Sequence, residues 1–88
     1  MPAEDRQRID RWLWHARLVR TRGDAAALAD AGYVRVDGAR IAAPSRQVRT
    51  GDVITVALER RVRVLKVRGF VERRGPAGTA QTLYEDLT

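Results

Sequence analysis

Signals for a helix, a second helix and a hairpin follow one another between residues 8 and 41, and this order constrains the fold more than any other feature. The apolar residues at the start recur at intervals of three or four, which is typical of one buried helical face. They are Ile9, Trp12, Leu13, Ala16 and Val19. This spacing predicts a first helix with a core side and a basic, partly aromatic side.

The second helix is predicted from its ends. Thr21 and Asp24 have the spacing of a capping box, and a run of alanines from Ala25 follows them. Gly32 can end this helix in a left-handed conformation. The Asp37-Gly38 dipeptide then lies between two short alternating runs, which predicts a hairpin whose turn residues both have positive φ.

The remaining chain predicts a small sheet. Residues 53–58 and 62–67 alternate like strands after a Gly51-Asp52 turn, whereas residues 42–50 predict an ordered loop. The predicted fold class is α+β: two packed N-terminal helices on a small, mostly antiparallel sheet. We divide the chain into a flexible N-terminus (1–7), a domain (8–70) and a C-terminal segment (71–88) that packs on the domain or extends from it.

The charge indicates the class of partner. Seventeen basic and eleven acidic residues give a formal net charge of +6 in 88 residues, which is typical of proteins that bind nucleic acids. All the basic residues except Lys66 are arginines, whose forks suit phosphates and base edges. A GC-rich genome would also favour arginine over lysine, but it would not change the net charge.

Other function classes lack their sequence signatures. The chain has no cysteine, no His cluster and no phosphate-cradling glycine loop, so we predict neither an enzyme nor a cofactor or metal site. No apolar run approaches the ~20 residues that would span a bilayer, so we expect a cytoplasmic protein that does not bind membranes. No oligomerisation signal stands out, and a monomer is the default expectation.

Several motifs in the first 58 residues share an order and spacing with a known family. They are Arg8-Ile9-Asp10-Arg11-Trp12-Leu13, Thr21-Arg22, Ala25, Gly32-Tyr33-Val34-Arg35-Val36-Asp37-Gly38, Pro44-Ser45 and Gly51-Asp52-Val53-Ile54. Together they resemble the RNA-binding domain named after small-subunit ribosomal protein four, the S-four or S4 domain. This resemblance implies two helices on a small sheet, with RNA lying across the helix faces and the hairpin edge.

A narrower resemblance involves both ends of the chain. Its motifs are Trp12-Leu13-Trp14, Ala16-Arg17, Glu72-Arg73-Arg74-Gly75-Pro76-Ala77 and Leu83-Tyr84-Glu85. They are similar to the bacterial fifteen-kilodalton ribosome-associated heat-shock proteins. This resemblance implies binding of ribosomal RNA, recognition of dissociated large ribosomal subunits and a heat-shock or ribosome-recycling role. Longer members continue into a basic C-terminal extension that these 88 residues do not include.

The predicted RNA-binding residues lie at helix starts, on the first helix and around the hairpin. They are Arg8, Arg11, Arg17, Thr21, Arg22, Arg40, Ser45 and Arg46. The S4 resemblance carries Arg8, Arg22, Arg40 and Arg46, and the helix start independently favours a phosphate at Arg22. Salt bridges with Asp10 or Asp24 are the alternative for Arg8 and Arg22, and solvated loop charge is the alternative for Arg40 and Arg46. Ser45 is equally a turn-former beside Pro44.

The aromatic residues leave other interpretations open. Trp12 is predicted to be in the core, while Trp14 either stacks on bases or packs under the C-terminal segment. His15 is predicted to be a surface or packing residue. One alternative function is a protein-interaction module that uses Trp14, Leu18 and the C-terminal segment. DNA binding is another, although the alanine-rich second helix makes a poor recognition helix.

The second half contains another basic group, from Arg60 to Arg74. Most of its members are predicted to be solubilising charges on edge strands. Arg73 and Arg74 are the candidates for an auxiliary RNA contact.

Overall fold

The structure, a computed structural model, describes residues 5–88. Its strands are β1 (Arg6–Arg8), β2 (Val34–Val36), β3 (Ala39–Arg40), β4 (Gln47–Arg49), β5 (Val53–Ala57), β6 (Val62–Val67) and β7 (Tyr84–Asp86). The helices are α1 (Ile9–His15), α2 (Arg22–Asp30) and the short α3 (Ala77–Ala80), which a 3-10 turn (Gln81–Leu83) joins to β7.

All strand pairs among these residues are antiparallel, which confirms the predicted α+β class. Five strands form one sheet in the order β3-β2-β5-β6-β7, and β1 and β4 form a separate two-stranded ribbon. The core contains α1 and α2 residues together with sheet residues, and Trp12, Leu13, Ile54 and Leu65 are fully buried in it. The Trp12 indole N–H donates to the Gly69 carbonyl at 3.2 Å, so its polar atom is satisfied.

Helix α1 is shorter than its apolar pattern predicts. The chain leaves the helix at Arg17, which has a φ of 60°, and the Leu18 N–H donates back to the Leu13 carbonyl at 3.1 Å. This is the hydrogen-bond pattern of a Schellman cap, with arginine in the position that glycine usually occupies. Leu18 and Val19 therefore pack on the core from a linker, and the prediction that Val19 continues the helix is wrong.

The ends of α2 and the hairpin turn follow the predicted local chemistry. The Thr21 hydroxyl accepts from the Asp24 N–H at 3.0 Å, and Gly32 ends the helix with a φ of 84°. In the hairpin turn, Asp37 and Gly38 have φ values of 51° and 84°. The Thr21 hydroxyl cap, the left-handed Gly32 and the positive φ of both turn residues are confirmed.

The β1–β4 ribbon occupies segments that were predicted to lack strands. Residues 1–4 of the predicted flexible N-terminus lie outside the described residues, but Arg6 and Gln7 form part of β1. Likewise, β4 lies within the predicted loop 42–50. The inward-facing Gln7 and Val48 are buried, and the Gln7 amide donates to the Val71 carbonyl at 2.9 Å. This burial stabilises two strands that are too short to show a period.

The C-terminal segment packs on the domain. Strand β7 pairs with the second half of β6, so β6 is an interior strand and the prediction of edge-strand charges is wrong there. Across this pairing, Arg63 contacts Asp86 at 3.1 Å and Arg68 contacts Glu85 at 3.6 Å. These acidic residues therefore balance basic residues of β6 and the segment after it.

Candidate nucleic-acid interface

The start of α1 is organised by a buried carboxylate. The Asp10 side chain is only 5% exposed, and it accepts two hydrogen bonds from the Arg8 guanidinium, at 3.1 Å from Nε and 3.0 Å from Nη2. It also accepts the Arg11 backbone N–H at 2.7 Å. A bidentate pair of this kind fixes the orientation of the planar guanidinium.

Arg22, at the start of α2, approaches the same carboxylate, with its Nε 3.8 Å from Asp10 Oδ2. The predicted alternative of a salt bridge is thus observed for Arg8 and Arg22, and both contact Asp10. About half of each side chain remains exposed, 47% for Arg8 and 44% for Arg22. Because a guanidinium has five N–H donors, both arginines keep donors for a further anion.

The amino end of α2 adds its own donors to this region. Thr21 is the N-cap, so its hydroxyl already accepts one backbone N–H of the first turn. The first turn of this nine-residue helix carries the positive end of the helix dipole. A phosphate placed here would meet both the backbone donors and the Arg22 side chain.

The loop before β4 lies against the start of α1. The Ile9 N–H donates to the Arg46 carbonyl at 2.8 Å, and the Asp10 N–H donates to the Pro44 carbonyl at 3.2 Å. Two N–H groups at the beginning of α1 therefore hold this loop in place, while the side chains of Ser45 and Arg46 are exposed. We call Arg8, Asp10, Thr21, Arg22, Ser45 and Arg46 the helix-start cluster.

Arg40, another predicted RNA contact, lies at the opposite end of α2. Its Nε donates to the Gly32 carbonyl at 3.2 Å, just beyond the end of the helix. Since α2 has nine residues, it places this contact about 13 Å from the helix-start cluster. The structure thus does not bring Arg40 to the cluster.

Arg11 and Arg17 contact the C-terminal segment instead of the cluster. Arg11 Nη2 donates to the Glu72 carbonyl at 2.6 Å, and Arg17 Nε donates to the Gly75 carbonyl at 3.0 Å. Both predicted RNA contacts therefore also connect α1 to the chain after the sheet.

Trp14 packs under this same segment, which was one of its two predicted roles. Its carbonyl accepts from Arg74 Nε at 3.0 Å, and the Arg74 guanidinium carbon lies 5.5 Å from the centre of its ring. His15 is buried, with its ring 5.4 Å from that of Trp14, so it is a packing residue. Arg74, one of the two candidates for an auxiliary RNA contact, is thus engaged with Trp14.

Across residues 5–88, no group of three or more His, Cys, Asp or Glu side chains is arranged to hold a metal ion. In the same part of the chain, no helix has the length and apolar character needed to cross a membrane.

The part of the chain that carries the helix-start cluster is similar to known proteins. The sequence model of the S4 domain matches residues 7–54. Heat shock protein 15 of Escherichia coli strain K12 is 35% identical over 79 residues, which cover 90% of this chain and 59% of that protein. A heat shock protein 15 homolog of Aeromonas salmonicida is 42% identical over 82 residues, with the same two coverages. The chain therefore spans about 59% of the length of these curated relatives.

A ribosomal protein and a solved structure are also similar. Small ribosomal subunit protein uS4 of Listeria monocytogenes is 44% identical over 50 residues, 57% of this chain and 25% of that protein. The structure of Vibrio cholerae heat shock protein 15, described as trimeric, superposes with a TM-score of 0.85 at 33% identity. The superposition covers 92% of this chain and 81% of that one.

Proposed function

The chain belongs to the S4 domain family and, within it, to the heat shock protein 15 group, and from this premise we propose that it binds structured RNA through the helix-start cluster. One observation carries the proposal. Two arginines from separate helix starts, Arg8 and Arg22, converge on the single buried carboxylate of Asp10 while half of each side chain stays exposed. The pair is therefore positioned before any ligand arrives, which lowers the cost of ordering the two side chains on binding.

The chemistry of the cluster suits a sugar-phosphate backbone. Arg8, Arg22 and Arg46 offer charged donors, the Ser45 hydroxyl can donate or accept, and the start of α2 favours an anion. Structured RNA is recognised mainly through its shape, its phosphates and its 2′-hydroxyl groups, all of which these donors can contact. Arg11, Arg17 and Arg40 remain predicted contacts, but each already donates to a backbone carbonyl, so we rank them below the cluster.

We further propose that the RNA is ribosomal RNA of the large subunit and that the protein acts in heat shock or in ribosome recycling. The name heat shock protein 15 supports the heat-shock context, and the similarity to a small ribosomal subunit protein supports a ribosomal target. The choice of the large subunit rests on the resemblance to the ribosome-associated heat-shock proteins. A cytoplasmic location accompanies a ribosomal partner. The proposal is one of binding alone, without a catalytic step.

The packing of Trp14 and Leu18 argues against a protein-interaction module built on them. Trp14 lies under Arg74, and Leu18 is packed against the core. DNA binding shares the electrostatic signature of RNA binding, so it must be tested directly.

The test measures fluorescence anisotropy with a structured ribosomal RNA fragment and a DNA duplex of equal length at several salt concentrations. Arg22→Ala should weaken RNA binding by ~1.5–3 kcal/mol, the range for a hydrogen bond to a charged group. Arg60→Ala is the matched control, since Arg60 is exposed in the turn between β5 and β6 and is as charged as Arg22. Equal binding of RNA and DNA, or equal effects of the two substitutions, would contradict the proposal.

Oligomeric state should be measured on the same samples by sedimentation. The monomer remains a prediction, and a relative has been solved as a trimer. Each binding constant must therefore be assigned to a defined oligomeric state of the protein.

A further inference from the structure

The β1–β4 ribbon carries a basic face that shares only Arg8 with the predicted RNA-binding residues. Side chains alternate along each strand, and Gln7 and Val48 point into the core. The exposed positions of the two strands are Arg6, Arg8, Gln47 and Arg49. We call this face the arginine ribbon.

The register of the ribbon places two like charges directly opposite each other. Arg6 pairs with Arg49, and Arg8 pairs with Gln47. Like charges at directly opposed positions destabilise a strand pair. This ribbon therefore contains an arginine pair that folding alone does not favour.

Neighbouring acids do little to balance that pair. Arg6 has one ion pair among the described residues, with Asp5 at 3.7 Å, and both side chains are largely exposed, 52% and 86%. Exposed pairs of this kind contribute little. Between residues 5 and 88, no carboxylate lies within ion-pair distance of the Arg49 guanidinium, and Asp52 instead accepts the Arg49 backbone N–H at 2.9 Å.

The arginine ribbon is continuous with the helix-start cluster. Arg8 belongs to both, and Arg46 immediately precedes β4. Along β1, Arg6 and Arg8 are two residues apart, or about 6.6 Å, and lie on the same face of the ribbon. On the other side, Asp37 and Asp52 border a depression together with Arg46 and Arg49, and they mark where the basic surface ends.

We propose that Arg6 and Arg49 form a second contact with the RNA backbone, which extends the phosphate path from the helix-start cluster onto the arginine ribbon. This inference rests on the proposed function and adds two residues that the sequence did not single out. The contact is made to phosphates, so it strengthens binding and fixes the position of the RNA without reading bases. An anionic partner also relieves the repulsion between the opposed arginines.

The test compares two double variants of the full chain with the wild type, using the same ribosomal RNA fragment. Arg6→Gln with Arg49→Gln removes the charges of the arginine ribbon but keeps long polar side chains. Arg60→Gln with Arg61→Gln removes two exposed charges from the turn between β5 and β6 and is the matched control. Strand β5 separates this turn from β4 by about 17 Å.

The ribbon variant should bind at least about tenfold more weakly at low salt, and its slope of log Kd against log salt should fall by about two, one for each lost phosphate contact. The control should retain most of the affinity and the slope. Thermal unfolding followed by circular dichroism should show an unchanged or raised melting temperature for the ribbon variant, because the like-charge pair is gone.

Each result has a distinct meaning. Equal losses in the ribbon and control variants would overturn the inference, as would an unchanged salt slope. If Arg22→Ala weakens binding while the ribbon variant does not, the proposed function stands and the ribbon contact is wrong. If the ribbon variant alone weakens binding, the ribbon contact stands and the helix-start cluster is wrong.

Discussion

At the scale of single residues, Asp10 presents an apparent contradiction, because it places a negative charge inside a surface that we propose for a polyanion. Its side chain is buried, and both Arg8 and Arg22 lie within ion-pair distance of it. A buried carboxylate requires compensation, and here two guanidinium groups and the Arg11 N–H supply it. In return, the carboxylate fixes the orientation of the two arginines.

The substitution Asp10→Asn distinguishes the positioning of Arg8 and Arg22 from the effect of net charge on RNA binding. The substitution raises the formal net charge by one, so long-range electrostatics alone would strengthen RNA binding. If Asp10 positions Arg8 and Arg22, binding should instead weaken, by about tenfold, since one bidentate charge-assisted contact is lost. Anisotropy at fixed salt measures the affinity, and urea unfolding identifies conditions in which the variant remains folded.

A double-mutant cycle tests whether Asp10 acts through Arg22. In an Arg22→Ala background, Asp10→Asn should have a clearly smaller effect on affinity, because one of the side chains it positions is absent. Tighter binding of the Asp10→Asn single variant would contradict the positioning role. If Asp10→Asn acted only by destabilising the fold, its effect on affinity would be the same with and without Arg22→Ala.

Individual residues were predictable from the sequence where their chemistry is local. The Thr21 cap, the left-handed Gly32 and the Asp37-Gly38 turn each depend on residues within a few positions. Arg17 shows the limit, because a non-glycine residue in the left-handed region is uncommon and no local pattern marks it. The burial of Asp10 was also not predictable, since it depends on how the two helix starts meet.

At the scale of elements, β7 ends at an exposed carboxylate, that of Asp86. Hydrogen bonding from Thr88, through its side chain first and its backbone N–H second, lowers the pKa of Asp86 below its ordinary value of 3.8. The Arg63 guanidinium lowers the pKa further, while partial desolvation opposes both effects. The Thr88 N–H lies 2.9 Å from Asp86 Oδ1, and Arg63 Nη2 lies 3.1 Å from Oδ2.

The lowered pKa of Asp86 determines how the stability of the folded state changes with pH. The ionised carboxylate stabilises the folded state above pH 3.8, and this contribution is lost as the pH falls through the lower folded-state pKa. We expect an NMR titration of the Asp86 carboxyl group to give a pKa below 3.8. Thr88→Ala and Arg63→Gln should each raise that pKa. An unchanged pKa in both variants, or a wild-type pKa at or above the ordinary value, would contradict this account.

Helices and strands were predictable from the sequence where they are long or where nearby residues mark their ends. Strand β6 was predicted at residues 62–67, where it occurs, and β5 is one residue shorter than its predicted range of 53–58. Strands β1 and β4 have three residues each and pair across about forty residues of chain, so no local period reveals them. The arginine ribbon was missed for the same reason.

At the scale of the whole molecule, the net charge of +6 acts in opposite senses on folding and on binding. In the free protein the excess positive charge is self-repulsive and destabilises the compact state. Ion pairs such as Arg63 with Asp86 offset only part of it. In the proposed complex the same charge releases counterions from RNA, which favours binding at low salt.

Salt should therefore change the two equilibria in opposite directions. Between 50 and 200 mM salt, RNA binding should weaken on the order of a hundredfold if about five phosphates are contacted. Over the same range the melting temperature of the free protein should rise or stay constant, because ions screen the self-repulsion. Anisotropy measures RNA binding, and circular dichroism measures the melting temperature. Both use the same protein concentration, because self-association would also change the melting temperature. A melting temperature that falls with salt would show that attractive ion pairs dominate the folded state, and salt-independent binding would indicate an apolar interface in place of a phosphate-binding one.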